Sequence, residues 1–374
     1  MNRKYTVFLL KTRAAALAIL LTGSLCFFGG CAPFGDRRET GGQNAGYTAV
    51  DTGAAGLSDS GTGDDNAAVP IDVYVLAGQS NMAGTSRVSS LPEKYRRTYP
   101  SVKYYNGGDT GEGGTVPRNQ WHTVRPDGNR YYPYNNETYW FGPELGMAEV
   151  LQNKDGEIAF IKYAYGGTGI YQHPGLNNKP ASMGLNRDNW HGPWDGVQGR
   201  WDDPDLQNAA NPMGKLYCQL LDTVEEASAK LRGDGYAPVI RGFAWMQGET
   251  DGEIQFNGGN GDHRAADVYE HNLTEFFNAV RAELGAPELP IVFGEIYEYS
   301  ASVVEVRKIV AAQRAVGNLP DNYLVETGDL VIDGSIDTWH WNGLSEWVLG
   351  IRFGEELYKA ARDINNAYDD GYTE

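Results

Sequence analysis

Residues 71–84 read IDVYVLAGQSNMAG, and this stretch decides the architecture. Its first half, IDVYVL, is a short run of β-branched and large apolar side chains ended by Ala77-Gly78, the pattern of a buried strand. Its second half breaks the strand with small residues that let a helix begin at once. Ser80 therefore lands at a strand's carboxyl end, with its hydroxyl toward any site there and its N–H among the unpaired donors of a helix start. A plain capping serine would read the same way. The G-x-S-x-G elbow does not fit, because Met82 stands where its last glycine would be.

Outward from this stretch the pattern repeats. Further β-branched runs occur at 157–163 (EIAFIKY), 238–245 (PVIRGFAW), 290–296 (PIVFGEI) and 322–326 (NYLVE). Stretches with helical spacing lie at 143–153, 210–232, 264–284, 302–316 and 343–361. Strands alternating with helices predict a parallel sheet of five strands covered on both faces. Sites in such sheets form at the carboxyl ends of the strands, so the residues after each strand carry the functional information. After the second run come Gly166 and Gly167, whose N–H groups suit close approach to a ligand or an ordinary turn. After the third come Gln247, Glu249 and Asp251: an amide donor, with two carboxylates that read as a glycosidase pair or as helix-start acids. Before the last helix comes Asp337-Thr338-Trp339-His340, one of only six histidines in the chain. A tight turn over that step brings a carboxylate to the imidazole Nδ1 and leaves Nε2 as a base, although a surface turn would look alike. Order and placement distinguish these blocks more than any one of them does.

Together the blocks VLAGQSNMAG, FGPELGMAEVL, IKYAYGGTGI, FAWMQGETD and DTWHWNGLSEWVLG, spread over residues 73–350, resemble the SGNH (GDSL-like) hydrolase superfamily. Within it the chain is similar to the branch of sialate O-acetylesterase-like proteins and carbohydrate esterase family 6, which includes acetylxylan esterases. The resemblance implies a three-layer α/β/α flavodoxin-like fold. It implies Ser80 as nucleophile, His340 as base and Asp337 as orienting acid. It also implies an oxyanion hole from the Ser80 N–H, the Gly166 or Gly167 N–H and the Gln247 amide. The implied activity is removal of O-acetyl groups from a carbohydrate, such as xylan or sialic acid, through an acyl-serine. No cofactor is implied. No metal is expected either, since the chain has no H-E-x-x-H and no Cys/His cluster at zinc spacing.

Two other readings compete: a glycoside hydrolase using carboxylates among Glu144, Glu249, Asp251 and Glu295, and a non-catalytic glycan-binding lipoprotein on the same scaffold. The stretches 86–140 and 171–205 read as long, aromatic-rich loops, most of whose rings pack while a few line a cleft. Trp194, Trp339, Trp341 and Glu249 are the candidates to contact substrate.

The N-terminus reads as an address. Arg3, Lys4, Lys11 and Arg13 precede an uncharged run at 14–28, and Gly29-Gly30-Cys31 follows. This pattern predicts a lipoprotein-type secretory signal over 1–30. The apolar run is shorter than the ~18–20 residues of a membrane span. The Gly-Gly-Cys end resembles a bacterial lipobox with Cys31 as the lipidated residue; simple cleavage and secretion is the alternative. Residues 31–69, rich in Gly, Ser, Thr and Asp, read as a flexible tether, 70–365 as the esterase domain and 366–374 as a tail. The expected protein is extracytoplasmic and membrane-anchored through its lipid. A net charge of −18 argues against a nucleic-acid partner, because phosphate contacts need basic surface.

Overall fold

Chain order runs β1 (Val69–Gly78), α1 (Ser80–Ala83), β2 (Ser86–Arg87), β3 (Tyr99–Asn106), β4 (Trp121–Val124), β5 (Arg130–Tyr134), β6 (Glu137–Phe141), α2 (Glu144–Asp155) and β7 (Ile158–Ala164). It continues with α3 (Lys215–Gly233), β8 (Tyr236–Met246), α4 (Glu249–Gly252), α5 (Arg264–Asp267), α6 (Tyr269–Glu283), β9 (Ile291–Gly294), α7 (Val304–Val316), β10 (Asn322–Val325) and α8 (Gly343–Asp369). This computed structural model describes residues 67–134, 137–172, 189–197, 199–203, 212–253, 264–298 and 304–369. The expected signal, Cys31 and the expected tether up to residue 66 lie outside the described residues. The chain divides into two compact units, of which Met1–Tyr47 lies outside the description and Thr48–Glu374 holds everything below. Among the described residues no helix is long and apolar enough to cross a membrane.

The main sheet has seven strands, in the order β10-β9-β8-β1-β7-β3-β4, where five were expected. All five expected strands are present and parallel to their neighbours among the five. The additions are β3, parallel to β7, and the short edge strand β4, antiparallel to β3. Both come from the stretch read as loop. β3 is Tyr-rich, with Lys103 inside it and Pro100 at its second position, so it lacks the β-branched signature. A second sheet, β2-β6-β5, is antiparallel and comes from the same stretch. At the other end α8 continues to Asp369, so the expected tail begins inside a helix; no Gly or Pro interrupts the sequence from Ala360 to Asp369.

β1 is central, and Val73 through Ala77 are each 1% exposed or less. Layers on both faces explain its unbroken apolar run. On one face α8 closes against the sheet: a Cβ on Gly242 would stand 2.4 Å from Leu357, and one on Gly294 would stand 3.2 Å from Phe353. On the other face Phe276 of α6 meets Phe243 at 6.1 Å and Trp245 at 4.4 Å between ring centroids. The register then sets the site. Gly78 pairs with Ala164 of β7 and with Met246 of β8, so the strands on either side of β1 end level with it. Gln79-Ser80, Tyr165-Gly166 and Gln247 therefore emerge along one edge, where the chain order of the strands reverses.

Candidate active site

Ser80 reaches this edge through an exceptional backbone. Gly78 has φ +145°, and a Cβ there would fall 2.1 Å from the Met246 carbonyl oxygen. Only glycine lets β1 run this close to β8 before the turn. The Ser80 Oγ lies 2.8 Å from His340 Nε2, and His340 Nδ1 lies 2.5 Å from Asp337 Oδ2. The second Asp337 oxygen accepts from the Trp339 and His340 N–H groups, both at 2.9 Å. Burial pushes the Asp337 carboxyl up, but the His340 hydrogen bond and charge and the two N–H donors outweigh it and hold it below the usual aspartate value. An ionised Asp337 fixes the Nδ1–H tautomer, which leaves Nε2 to accept from the Ser80 hydroxyl.

The turn carrying His340 is gripped at three successive carbonyls. Asn81 Nδ2 donates to Trp339 O at 3.1 Å, the Asp333 N–H to His340 O at 2.8 Å, and Ser86 Oγ to Trp341 O at 2.7 Å. Arg87 in turn pairs with Asp333 at 2.5 Å. Behind Asn81 stands Glu249, whose Oε1 accepts its amide at 2.8 Å. Burial raises the Glu249 carboxyl, against the hydrogen bond from Asn81. Below Ser86 lies a fully buried set: Lys162 donates to Glu144 at 2.8 Å and to Asn129 at 3.0 Å, with Glu346 beside them. Burial, then the neighbouring Glu144, drives the Glu346 carboxyl well above its ordinary value. Asn81 belongs to the quoted GQSNMAG block and Ser86 to no motif. Neither had a role assigned from sequence, since the carbonyls they hold in the His340 turn lie 258 and 255 positions away.

On the other side of Ser80, Gly166 comes closest. A Cβ on it would stand 3.5 Å from the Ser80 Cβ, whereas one on Gly167 would meet nothing within 4 Å. Among the described residues neither the Ser80 nor the Gly166 N–H has an acceptor.

Several expected contributors sit elsewhere. Gln247 is 0% exposed, and its Nε2 donates to Asp251 at 2.6 Å and to Thr168 O at 3.0 Å, while its Oε1 accepts from Tyr269 at 3.0 Å. Turning the amide over would set two oxygens against each other at Asp251, so this orientation is the sound one. Its donors are spent inside the core and do not reach the cleft. Glu249 is 6% exposed and tied to Asn81, so it offers no carboxylate to a substrate. Trp341 is 0% exposed and packs edge-on to Tyr297 at 5.5 Å. Trp194 is 8% exposed, with its indole N–H on Asn272. A ring closed in the core has no face left for a sugar. Trp339 is only partly buried. The carboxylates of the glycosidase reading are all buried, Glu144 on Lys162, Asp251 on Gln247 and Glu295 on Arg314, with no pair facing across a cleft.

No curated protein sequence matches the chain. Among solved structures, NanS superposes with a TM-score of 0.56 at 15% identity, covering 79% of this chain and 99% of that one. A protein from Arabidopsis thaliana gives 0.53 at 18% identity, covering 78% and 98%. A carbohydrate acetylesterase from Xanthomonas citri gives 0.48 at 17% identity, covering 78% of this chain and 57% of that one. The first two share the fold. A family model described as carbohydrate esterase, sialic acid-specific acetylesterase matches residues 70–359. That match runs from β1 into α8 through every block that builds the site, and the chain therefore belongs to the sialic acid-specific acetylesterase family of carbohydrate esterases.

Proposed function

We propose that this esterase removes O-acetyl groups from a sugar through an acyl-enzyme on Ser80. The observation that carries the reading is the unbroken hydrogen-bond line from Ser80 Oγ through His340 to Asp337. As Oγ attacks the acetyl carbonyl carbon, His340 Nε2 takes its proton, and the charged imidazole is stabilised by Asp337. The oxygen that becomes negative is met by the Ser80 and Gly166 N–H groups, which have no other acceptor among the described residues. Collapse expels the sugar hydroxyl with the proton held by His340. Water, activated by the same imidazole, then releases acetate and restores Ser80. Trp339, next to His340 and only partly buried, is the aromatic face best placed to meet the sugar. The same reading holds the enzyme outside the cytoplasm by a lipid on Cys31, on the strength of the basic start, apolar run and Gly-Gly-Cys end.

The test is acetate release from acetylated xylan, sialic acid and pectin fragments. Ser80→Ala and His340→Ala should each lower turnover by on the order of 10³ or more without changing the fold. Asp337→Asn should fall comparably at neutral pH, since an amide favours the wrong tautomer. Undiminished acetate release in Ser80→Ala would refute the acyl-serine reading. Absence of release from every substrate in the wild type would favour a sugar-binding role.

A further inference from the structure

The Gly166 N–H is useful only if its direction is fixed, and it sits in the least constrained backbone of the site. Gly166 is followed by Gly167 at φ +68°, so nothing in these two residues selects one orientation. What surrounds them does. The segment is tied at its start by the Tyr165 N–H on Gly78 O at 3.1 Å. Beyond the glycines, Thr168 O accepts the Gln247 amide at 3.0 Å, and the Ile170 and Tyr171 N–H groups donate to the two oxygens of Asp251, each at 3.0 Å. Gln247 and Asp251 are themselves joined at 2.6 Å. A Cβ on Gly169 would stand 3.1 Å from both Asp251 oxygens, so glycine there lets the carboxylate reach in. Asp251 is 2% exposed, and so it is placed where a carboxylate is expensive to bury.

The geometry points to Asp251, acting with Gln247, as the positioning residue of the oxyanion hole: it clamps the far end of the 165–171 segment and so aims the Gly166 N–H at the oxygen that becomes charged. This rests on the acyl-serine reading above. An ionised carboxylate is the one side chain of this length that can accept all three donors at once. An asparagine turns one of those contacts into N–H against N–H. The ground state, which needs no charged oxygen, should feel the change far less than the transition state.

The test compares the wild type with Asp251→Asn and with Gln247→Met, the latter nearly isosteric and without hydrogen bonds. Active Ser80 is first counted with a phosphonylating reagent, so that misfolded chains do not dilute the rate. Per reactive serine, kcat on an aryl acetate should fall by roughly 10–100-fold in both variants, with KM within about threefold. Binding of phenylboronic acid, whose tetrahedral adduct on Ser80 puts an oxygen in the hole, should weaken by a similar factor. Wild-type kcat per reactive serine, with only a lower melting temperature, would overturn the proposal and leave Asp251 as a packing device. So would a rise in KM at unchanged kcat. A wild type whose Ser80 neither reacts nor turns over removes the acyl-serine reading itself, which these variants cannot do.

Discussion

A carboxylate as buried as Asp251 must be supplied with donors, and Ile170, Tyr171 and Gln247 supply them. They do not fully offset burial, which pushes its carboxyl from the ordinary 3.8 up to about 6. Tyr269 of α6 and Glu249 of α4, both buried, face the same region and add no positive charge. The sign of the consequence follows. The folded state holds the proton more tightly than the unfolded chain between about 4 and about 6, so this contribution to stability is complete below that window and is lost as pH rises through it. Denaturation midpoints should show the wild type losing on the order of 2–3 kcal/mol relative to Asp251→Asn across that window. A difference that stays flat with pH would contradict this. Ser80, His340 and Asp337 were candidates in the sequence through the motif blocks that hold them, and the structure joins them in one hydrogen-bond line. Gln247 did not, because an amide at a strand end can point outward or inward, and only Tyr269, Thr168 and Asp251 around it choose.

At the scale of elements, the turn carrying His340 is set by a helix pair. α2 and α8 approach so closely that a Cβ on Gly350 would fall 2.1 Å from Pro143 O, and one on Gly146 2.1 Å from Trp347 O. α8 begins just after His340, and its first turn carries Ser345 and Glu346, the first of which accepts the Val331 N–H at 2.8 Å. Forcing the helices apart must therefore disturb the turn as well as the packing. Gly350→Ala should cost ~1–3 kcal/mol of stability and also lower kcat, both readable by thermal melting and steady-state kinetics. Unchanged melting would mean the two backbones can separate freely. The helices were legible from their spacing, and five strands from their β-branched runs. β3 and β4 were not: Tyr-rich β3, with Pro100 and Lys103, is a strand because β7 offers it an edge, and the four-residue β4 then pairs with β3.

For the whole molecule, the proposed catalytic residues and the proposed lipid anchor lie in separate stretches of the chain. The described elements begin at β1, and the triad lies between residues 80 and 340, so the N-terminal segment supplies none of it. A chain starting a few residues before Val69 should keep full kcat on an aryl acetate. The complete chain should partition with membranes, and Cys31→Ser should release it or leave it unprocessed. Wild-type product found free in the medium would contradict lipidation. The acidic character of the chain, −18 overall, remains consistent with a neutral or weakly charged sugar as partner and does not itself select one.

The class of fold and the family were legible in the chain, because the strand and helix alternation and the motif blocks are both local patterns. Hydrophobic period separates strand from helix, and the blocks holding Ser80, Asp337 and His340 stand out by their residue types. Which groups point where follows from contacts made only in the folded chain. Two of the three carbonyls around His340 are held by residues far away in the chain, Gln247 and Asp251 turn inward to grip a loop, and Trp194 and Trp341 close into the core. Side-chain direction depends on partners that chain folding brings together, and no local pattern contains it.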